Sequence, residues 1–390
     1  MRSDSCPTTC SRCPRRARLP RRWAGAGSNG RVLAVHERAV DQELVVTERI
    51  GVLTGGGDCP GLNAAIRAVV RHGLESHKLR VHGFRNGWRG PLDVTAQTLT
   101  LESTRGLLHL GGTFLGTSRT DPIAEPDGVA RIHEALEVYE LDGFIVIGGE
   151  GTLSAANTLA AEHGVPIIGI PKTIDNDLGG TDYTIGFATA LDIATDAVDR
   201  LHSTAESHNR VMLLEVMGRN AGWIATHAGI AGGADSILIP EHPFDVHQVC
   251  RHLKRRHGSG RSFSIVVVAE GAVPADDTLN LTDYELDQFG RPVLGGIASS
   301  LRPIIEAQTG FATRETILGH VQRGGTPNPF DRVLATRMGV RAVDLAVAGE
   351  WGQMVGLVGG EVKPVPLAEA TRSLRRVPED HYRAAEVFFG

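Results

Sequence analysis

The sequence predicts an α/β protein of two lobes, each built on a mainly parallel sheet. Three observations predict it. Short apolar runs rich in Val and Ile recur along the body of the chain. Between them lie longer stretches with apolar residues at helical spacing, and glycine-rich or polar strings follow several of the apolar runs directly. Buried β-branched runs alternating with helices indicate parallel sheets covered on both faces. Open α/β sheets place ligands at the C-terminal ends of their strands.

In chain order the strand candidates are RIGVLT, LRVHGF, DGFIVIGG, VPIIGIP, RVMLLEVM, DSILIP, SFSIVVVAEG and MVGLVGG. The helix candidates include GLNAAIRAVVRHGLES, TALDIATDAVDRLHSTAE and DRVLATRMGVRAVDLAVAG, whose apolar residues recur at helical spacing. No internal repeat is evident. A break in topology is expected after Gly186, with a cleft between the two lobes.

Composition bounds the function. The chain has 390 residues, enough for two ordinary domains. Its 48 glycines follow no triplet repeat, so they mark tight turns or close approach of backbone to a ligand. A net charge of −5 gives no support for nucleic-acid binding. No apolar run reaches the ~20 residues of a membrane span, so a soluble protein is expected. Cys59 and Cys250 stand alone in the body, which is no disulfide scaffold, and a reducing cytoplasm is the expected compartment.

Residues 1–48 differ in composition. Arginine and proline dominate, and no helical or strand period appears. Cys6, Cys10 and Cys13 lack a fourth zinc ligand at short spacing. No apolar core follows the arginines, as a secretory signal would need. The expectation is a disordered extension, or a chain whose translation begins near Val45 or Val46.

Four groups of residues carry chemistry. Gly55-Gly56-Gly57-Asp58-Cys59-Pro60-Gly61 follows a strand and opens a helix, a turn that aims backbone N–H groups at an anion. It is neither a Walker A loop nor a GxGxxG fingerprint, and taken alone it is equally an ordinary turn. Gly148-Gly149-Glu150-Gly151-Thr152 sets a carboxylate between glycines at a strand end, which suits a Mg2+-nucleotide site or simply an acidic helix N-terminus. Pro171-Lys172-Thr173-Ile174-Asp175-Asn176-Asp177 offers a general base beside a second carboxylate, or an Asx-rich turn. Arg119, Arg210, Arg219, Arg314, His320 and Arg323 form a dispersed basic set able to grip phosphates, although lone arginines are usually surface residues.

Together these strings resemble the phosphofructokinases. GVLTGGGDCPGLNAAIR, GGTFLGTSR, IGGEGT, PKTIDND, TDYTIGFATA, EVMGR, AEG and LGHVQRGG match that family's successive signatures from about Arg49 to Val358. The resemblance implies phosphoryl transfer to the 1-hydroxyl of fructose 6-phosphate. It implies Asp175 as general base, with Thr173, Asp177 and Arg219 supporting the transfer. It assigns Arg210, Met217, Gly218, Glu270, Arg314, His320 and Arg323 to the sugar phosphate. Arg210 and Arg314 would come from a neighbouring subunit, which makes the active enzyme a homo-oligomer, a dimer or tetramer. Gly56, Arg119, Thr120, Gly149, Gly151 and Thr152 would contact ATP, Glu150 would be linked to Mg2+, and Trp88 would stack on adenine. The lobes implied are 49–186 with about 322–372 for the nucleotide, and 187–321 with 373–390 for the sugar phosphate.

Two positions bear on the phosphoryl donor. In the resembled family Gly151 is the ATP-type residue, because an aspartate there would crowd and repel a nucleotide phosphate. Lys172 is the pyrophosphate-type residue. The combination resembles the mixed-substrate branch, and the greater weight on Gly151 predicts ATP, with pyrophosphate as the alternative. Glu150 stands where aspartate is commoner. Arg67, Arg71 and Asp235 match part of an effector pocket, whereas Leu101 and His202 replace further effector arginines. A catalytically dead sugar-phosphate sensor is opposed by Asp175, Thr173 and Arg219. A dehydrogenase lacks its glycine fingerprint and ribose-binding acid.

Overall fold

The computed structural model describes residues 48–275, 296–387 and 389. The N-terminal extension and its three cysteines lie outside the described residues. The strands are β1 Arg49–Gly55, β2 Arg80–Phe84, β3 Ala96–Leu99, β4 Gly143–Gly148, β5 Ile167–Thr173 and β6 Ile185–Gly186. They continue with β7 Val211–Val216, β8 Ser236–Leu238, β9 Ser264–Ala269, β10 Thr313–Ile317, β11 Gln353–Val358 and β12 Glu361–Pro366.

Two sheets result. The first runs β12-β11-β5-β4-β1-β2-β3, with β6 paired to β5. Its central pairings are parallel; only the outer pairs β2–β3 and β11–β12 are antiparallel. The second runs β10-β7-β9-β8 and is parallel throughout. Every residue of β4, β7 and β9 is buried, as expected where helices cover both faces of a parallel sheet.

Besides the two-residue β6, the strands absent from the sequence reading are polar edges. β3 reads AQTL, β10 reads TRETI and β12 reads EVKPVP. An edge strand packs on few neighbours, so no apolar run announces it. The charges of β12 and its two prolines also blunt an edge that could otherwise pair with another chain.

The chain leaves the first sheet at Gly186 and enters helix Phe187–His208, which leads to β7. It returns through helix Pro329–Val347 to β11. One buried carboxylate joins the two crossings. Asp331 Oδ1 accepts the N–H of Gly186 at 2.9 Å, and Oδ2 accepts the N–H of Thr189 at 2.8 Å and its hydroxyl at 2.5 Å. Burial pushes the Asp331 carboxyl up, and these donors pull it back. Removing it would leave buried N–H groups unpaired, at about 1–3 kcal/mol each. Around it one apolar core continues from Ile170 and Ile185 through Phe187 and Ala194 to Leu214 and Trp223.

Candidate active site

The first strand end is a glycine cradle. After β1, Gly56 and Gly61 have φ of +81° and +109°, a region costly for side chains with a Cβ. At Gly57 a Cβ would collide with the guanidinium of Arg323, so the glycine lets a second-sheet side chain rest on the loop. Lys172, almost wholly buried, donates to Gly57 O at 2.6 Å from the end of β5. Desolvation pulls its ammonium down from the usual lysine range. The N–H of Gly56 is engaged by Ser118 O at 2.9 Å, so its contribution to the cradle is space rather than a donor. Beside it Arg119 is exposed, and Thr120 Oγ1 lies 3.1 Å from Ser118 Oγ.

The second strand end follows β4. Gly149 precedes helix Glu150–His163, whose first turn presents the exposed Glu150. Glu150 Oε1 accepts from Ser154 at 3.3 Å. A Cβ at Gly151 would meet nothing within 4 Å, so neither backbone nor packing requires glycine there. Thr152 is buried and its carbonyl accepts Trp88 Nε1 at 3.4 Å. The expectation for Trp88 is corrected here. At 1% exposure it packs with Phe84, Phe144 and Leu153 in the core, so its ring has no free face for adenine.

The third strand end holds the carboxylates. Thr173 Oγ1 accepts the N–H of Asp175 at 3.1 Å, and Asn176 takes φ of +52° with its side-chain oxygen accepting Thr184 N–H at 2.9 Å. This turn points Asp175 inward, where its Oδ1 is buried without a hydrogen-bond partner among the described residues. Burial raises the Asp175 carboxyl, while Arg323, Lys172 and Arg219 draw it back down. Asp177 is pushed up to about 7, by burial first and by the Asp175 charge second. Asp177 and Glu150 line one cavity of about 190 Å³ with Arg372 and Thr371.

The second sheet supplies the opposing wall. Met217 N–H donates to Gln322 Oε1 at 3.3 Å, and Gly218 follows with φ of +138°. Arg219 comes next, and Glu270 stands at the end of β9 with its N–H bonded to Val216 O at 2.8 Å. Glu270 is pushed up to about 7 by burial and by Asp175, against the pull of Arg219 and Arg323. Arg323 and the exposed His320 lie on the short turn Gly319–Arg323 after β10. The C-terminal ends of strands from both sheets therefore converge on Asp175. A half-buried carboxylate whose buried oxygen lies near cations, with a glycine cradle beside it, suits transfer of an anionic group to a hydroxyl.

The comparisons with known proteins agree with this geometry. The family description "Phosphofructokinase" matches residues 49–346. The chain belongs to the phosphofructokinase family. A pyrophosphate–fructose 6-phosphate 1-phosphotransferase of Streptomyces coelicolor is 54% identical over 342 residues, covering 88% of this chain and 100% of the relative. An ATP-dependent 6-phosphofructokinase of Mycobacterium tuberculosis is 54% identical over 343 residues, with the same two shares. Among solved structures, Pichia pastoris phosphofructokinase in the T-state superposes with a TM-score of 0.74 at 33% identity, covering 88% of this chain and 37% of that one. A pyrophosphate-dependent phosphofructokinase of Marinobacter aquaeolei gives a TM-score of 0.73 at 23% identity over 88% and 92% of the two chains, a likeness of fold.

Not every residue singled out in this phosphofructokinase joins the cluster. Arg210 precedes β7 and Arg314 lies near the start of β10, paired in register with Met212. Both stand at the opposite end of the second sheet from Arg219, about 20 Å away along the strands. Arg314 is exposed and bonds Glu306 Oε1 at 3.3 Å. Asp235, expected as an effector-site acid, pairs with Arg256 at 2.7 Å and accepts the N–H of Ile265 at 2.9 Å, which ties helix Val246–Gly258 to the second sheet. Arg67 is half-buried, and Arg71 pairs with Glu75 at 3.1 Å, an ordinary helix-face contact.

Three supporting residues escaped the sequence reading. Gln322, wholly buried, ties the His320–Arg323 turn to Met217. Arg375 donates its N–H to Asp177 O at 2.8 Å and stacks over Trp223 at 4.0 Å, linking the carboxylate turn to the second lobe. Asp331 carried a signal, since Asn328 and Pro329 before it form a helix start. Arg375 carried none, because its partner is a backbone carbonyl distant in sequence.

Proposed function

We propose that this chain is an ATP-dependent 6-phosphofructokinase that converts fructose 6-phosphate to fructose 1,6-bisphosphate, a step of glycolysis. The observation that carries the reading is the buried, unpartnered Asp175 oxygen among Lys172, Arg219 and Arg323. A carboxylate so placed takes the proton of an attacking hydroxyl, and the cations offset charge on the moving phosphoryl group. Thr173 orients Asp175, and Asp177 tunes its charge. Glu270 holds sugar hydroxyls, while His320 and Arg323, with Met217 and Gly218 as backbone walls, hold the sugar phosphate. Arg210 and Arg314 complete that pocket from a neighbouring copy in a homo-oligomer, dimer or tetramer. The first-sheet lobe, 49–186 with about 322–372, receives the nucleotide; the second, 187–321 with 373–390, receives the sugar phosphate.

The donor set suits Mg2+. The metal usually takes one or two carboxylates plus substrate phosphates, and Glu150 and Asp177 share one cavity. When bound, the ion neutralises charge on the donor's phosphates. Gly56, Gly149, Gly151, Thr152, Arg119 and Thr120 then form the nucleotide wall. The cytoplasm is the compartment where both substrates occur together.

ATP is preferred as donor because Gly151 opens into free space, room that the fold itself does not use. The second reading, pyrophosphate, is favoured by Lys172 and by the name of an equally similar relative. The test is kcat/KM with each donor at saturating fructose 6-phosphate and fixed Mg2+. Gly151→Asp should lower ATP use several-fold or more through like-charge repulsion and lost space, and Lys172→Gly should lower it less. A wild type that prefers pyrophosphate overturns the donor assignment. ATP use untouched by Gly151→Asp overturns the steric argument.

A further inference from the structure

Away from the active site, three side chains from two helices converge. His72 lies in the last turns of helix Leu62–Ser76, His77 caps that helix, and Asp344 projects from helix Pro329–Val347. His72 Nε2 is 2.7 Å from Asp344 Oδ1, His77 Nε2 is 3.5 Å from the same oxygen, and the two ring nitrogens are 3.3 Å apart. Four-coordinate zinc with ligands at about 2.0 Å has ligand-to-ligand edges of about 3.3 Å. The three distances bracket that edge. Each side chain is partly exposed, between 22% and 37%, so a cation and one water can enter. Among the described residues this is the group of metal-ligating side chains that gathers in this way.

Hydrogen bonding alone satisfies the arrangement in only some tautomers. A neutral imidazole nitrogen either donates or accepts. If both Nε2 atoms carry protons, two N–H groups lie side by side toward one oxygen. If His77 donates to His72, the Nε2 of His72 carries no proton, and its lone pair faces the Asp344 oxygen at 2.7 Å, two acceptors in contact. A divalent cation takes a lone pair from all three atoms at once.

We propose that His72, His77 and Asp344 form a binding site for a divalent transition metal of the zinc class, with water as the fourth ligand. The site bridges helix Leu62–Ser76 to helix Pro329–Val347. The first begins at the glycine cradle and the second carries Asp331. His72 is about 15 Å along its helix from the cradle, so the metal clamps the helix pair and takes no part in phosphoryl transfer.

The test uses the full-length, tag-free protein, stripped with chelator and restored with Mg2+. Zn2+ is titrated by calorimetry, and Co2+ serves as the visible-absorbing probe. Cys6, Cys10 and Cys13 can also hold metal, so the quantity read is the difference between wild type and variant. Wild type should bind about one more equivalent of Zn2+ than His72→Ala or His77→Ala. Its melting temperature should rise with Zn2+, and theirs should not. Asp344→Asn keeps the side-chain shape and should weaken Zn2+ binding by about tenfold or more. Circular dichroism confirms folding, and turnover should stay within about twofold of wild type in each variant. Equal Zn2+ stoichiometry and affinity in wild type and the three variants, or an equal thermal response, overturns the proposal.

Discussion

The two ends of β7 carry arginines in opposite surroundings. At the C-terminal end, Arg219 lies within electrostatic reach of Asp175 and Glu270, beside loops from the first sheet. Before the N-terminal end, Arg210 stands at the far end of the sheet from that cluster, and among the described residues Arg314 beside it bonds Glu306 and the carbonyl of Thr313. The same residue type thus stands in two settings. One joins the Asp175 cluster; the other lies about 20 Å from it along the strands. The proposed function assigns that far end to a neighbouring copy.

The comparison breaks first at Asp175. Asp175→Asn preserves shape and removes basicity, and kcat should fall by about 10²–10⁴ with sugar KM nearly unchanged. Steady-state rates within about threefold of wild type would remove Asp175 from the mechanism. Arg219→Ala should follow, losing about 10²-fold mainly in kcat, because its charge acts on the transferring group.

The opposite end should behave differently. Arg210→Ala should raise KM for fructose 6-phosphate more than it lowers kcat, since it removes binding common to ground and transition states. Mixing Arg210→Ala with Asp175→Asn subunits should then regain part of the wild-type rate. Confirmed subunit exchange with no recovery would dismiss the shared site.

A smaller effect concerns pH. Burial lifts Glu270 from 4.5 to about 7 in the folded protein. Its contribution to stability is therefore full below about pH 4.5 and is lost as pH rises through about 7. Glu270→Gln removes that loss, so it should gain on the order of 1–2 kcal/mol relative to wild type at about pH 8 and little at about pH 5. Thermal unfolding at both pH values checks this, and a gain confined to the acid side contradicts it. The smallest effect should be at Cys59. Burial pushes its thiol up to about 12, so peptide mapping after mild alkylation should find it unmodified in the native protein.

Where the sequence was read correctly, local chemistry was enough. The buried strands declared themselves as β-branched runs because both of their faces need apolar cover. The cradle was visible in Gly55, Gly56 and Gly57, and the carboxylate turn in Asp175 and Asp177. Trp88 was misread because NGWRG places an aromatic near the nucleotide loop without revealing which way it turns. Packing against Phe144 decided that. The Asp235–Arg256 pair was likewise not legible, since its partners are distant in sequence and adjacent in space.

The sequence by itself determined the alternation of strands and helices, the ordered motifs and hence the family. Each depends on residues near one another along the chain, where periodicity and turn chemistry act directly. Tertiary structure alone decided which motifs meet. It brought Lys172 under Gly57, set Arg323 on the cradle, raised Asp177 and Glu270 by burying them, and turned Arg210 and Arg314 to the far end of their sheet. Desolvation and charge coupling depend on distances through space, and those are fixed only when the two sheets pack.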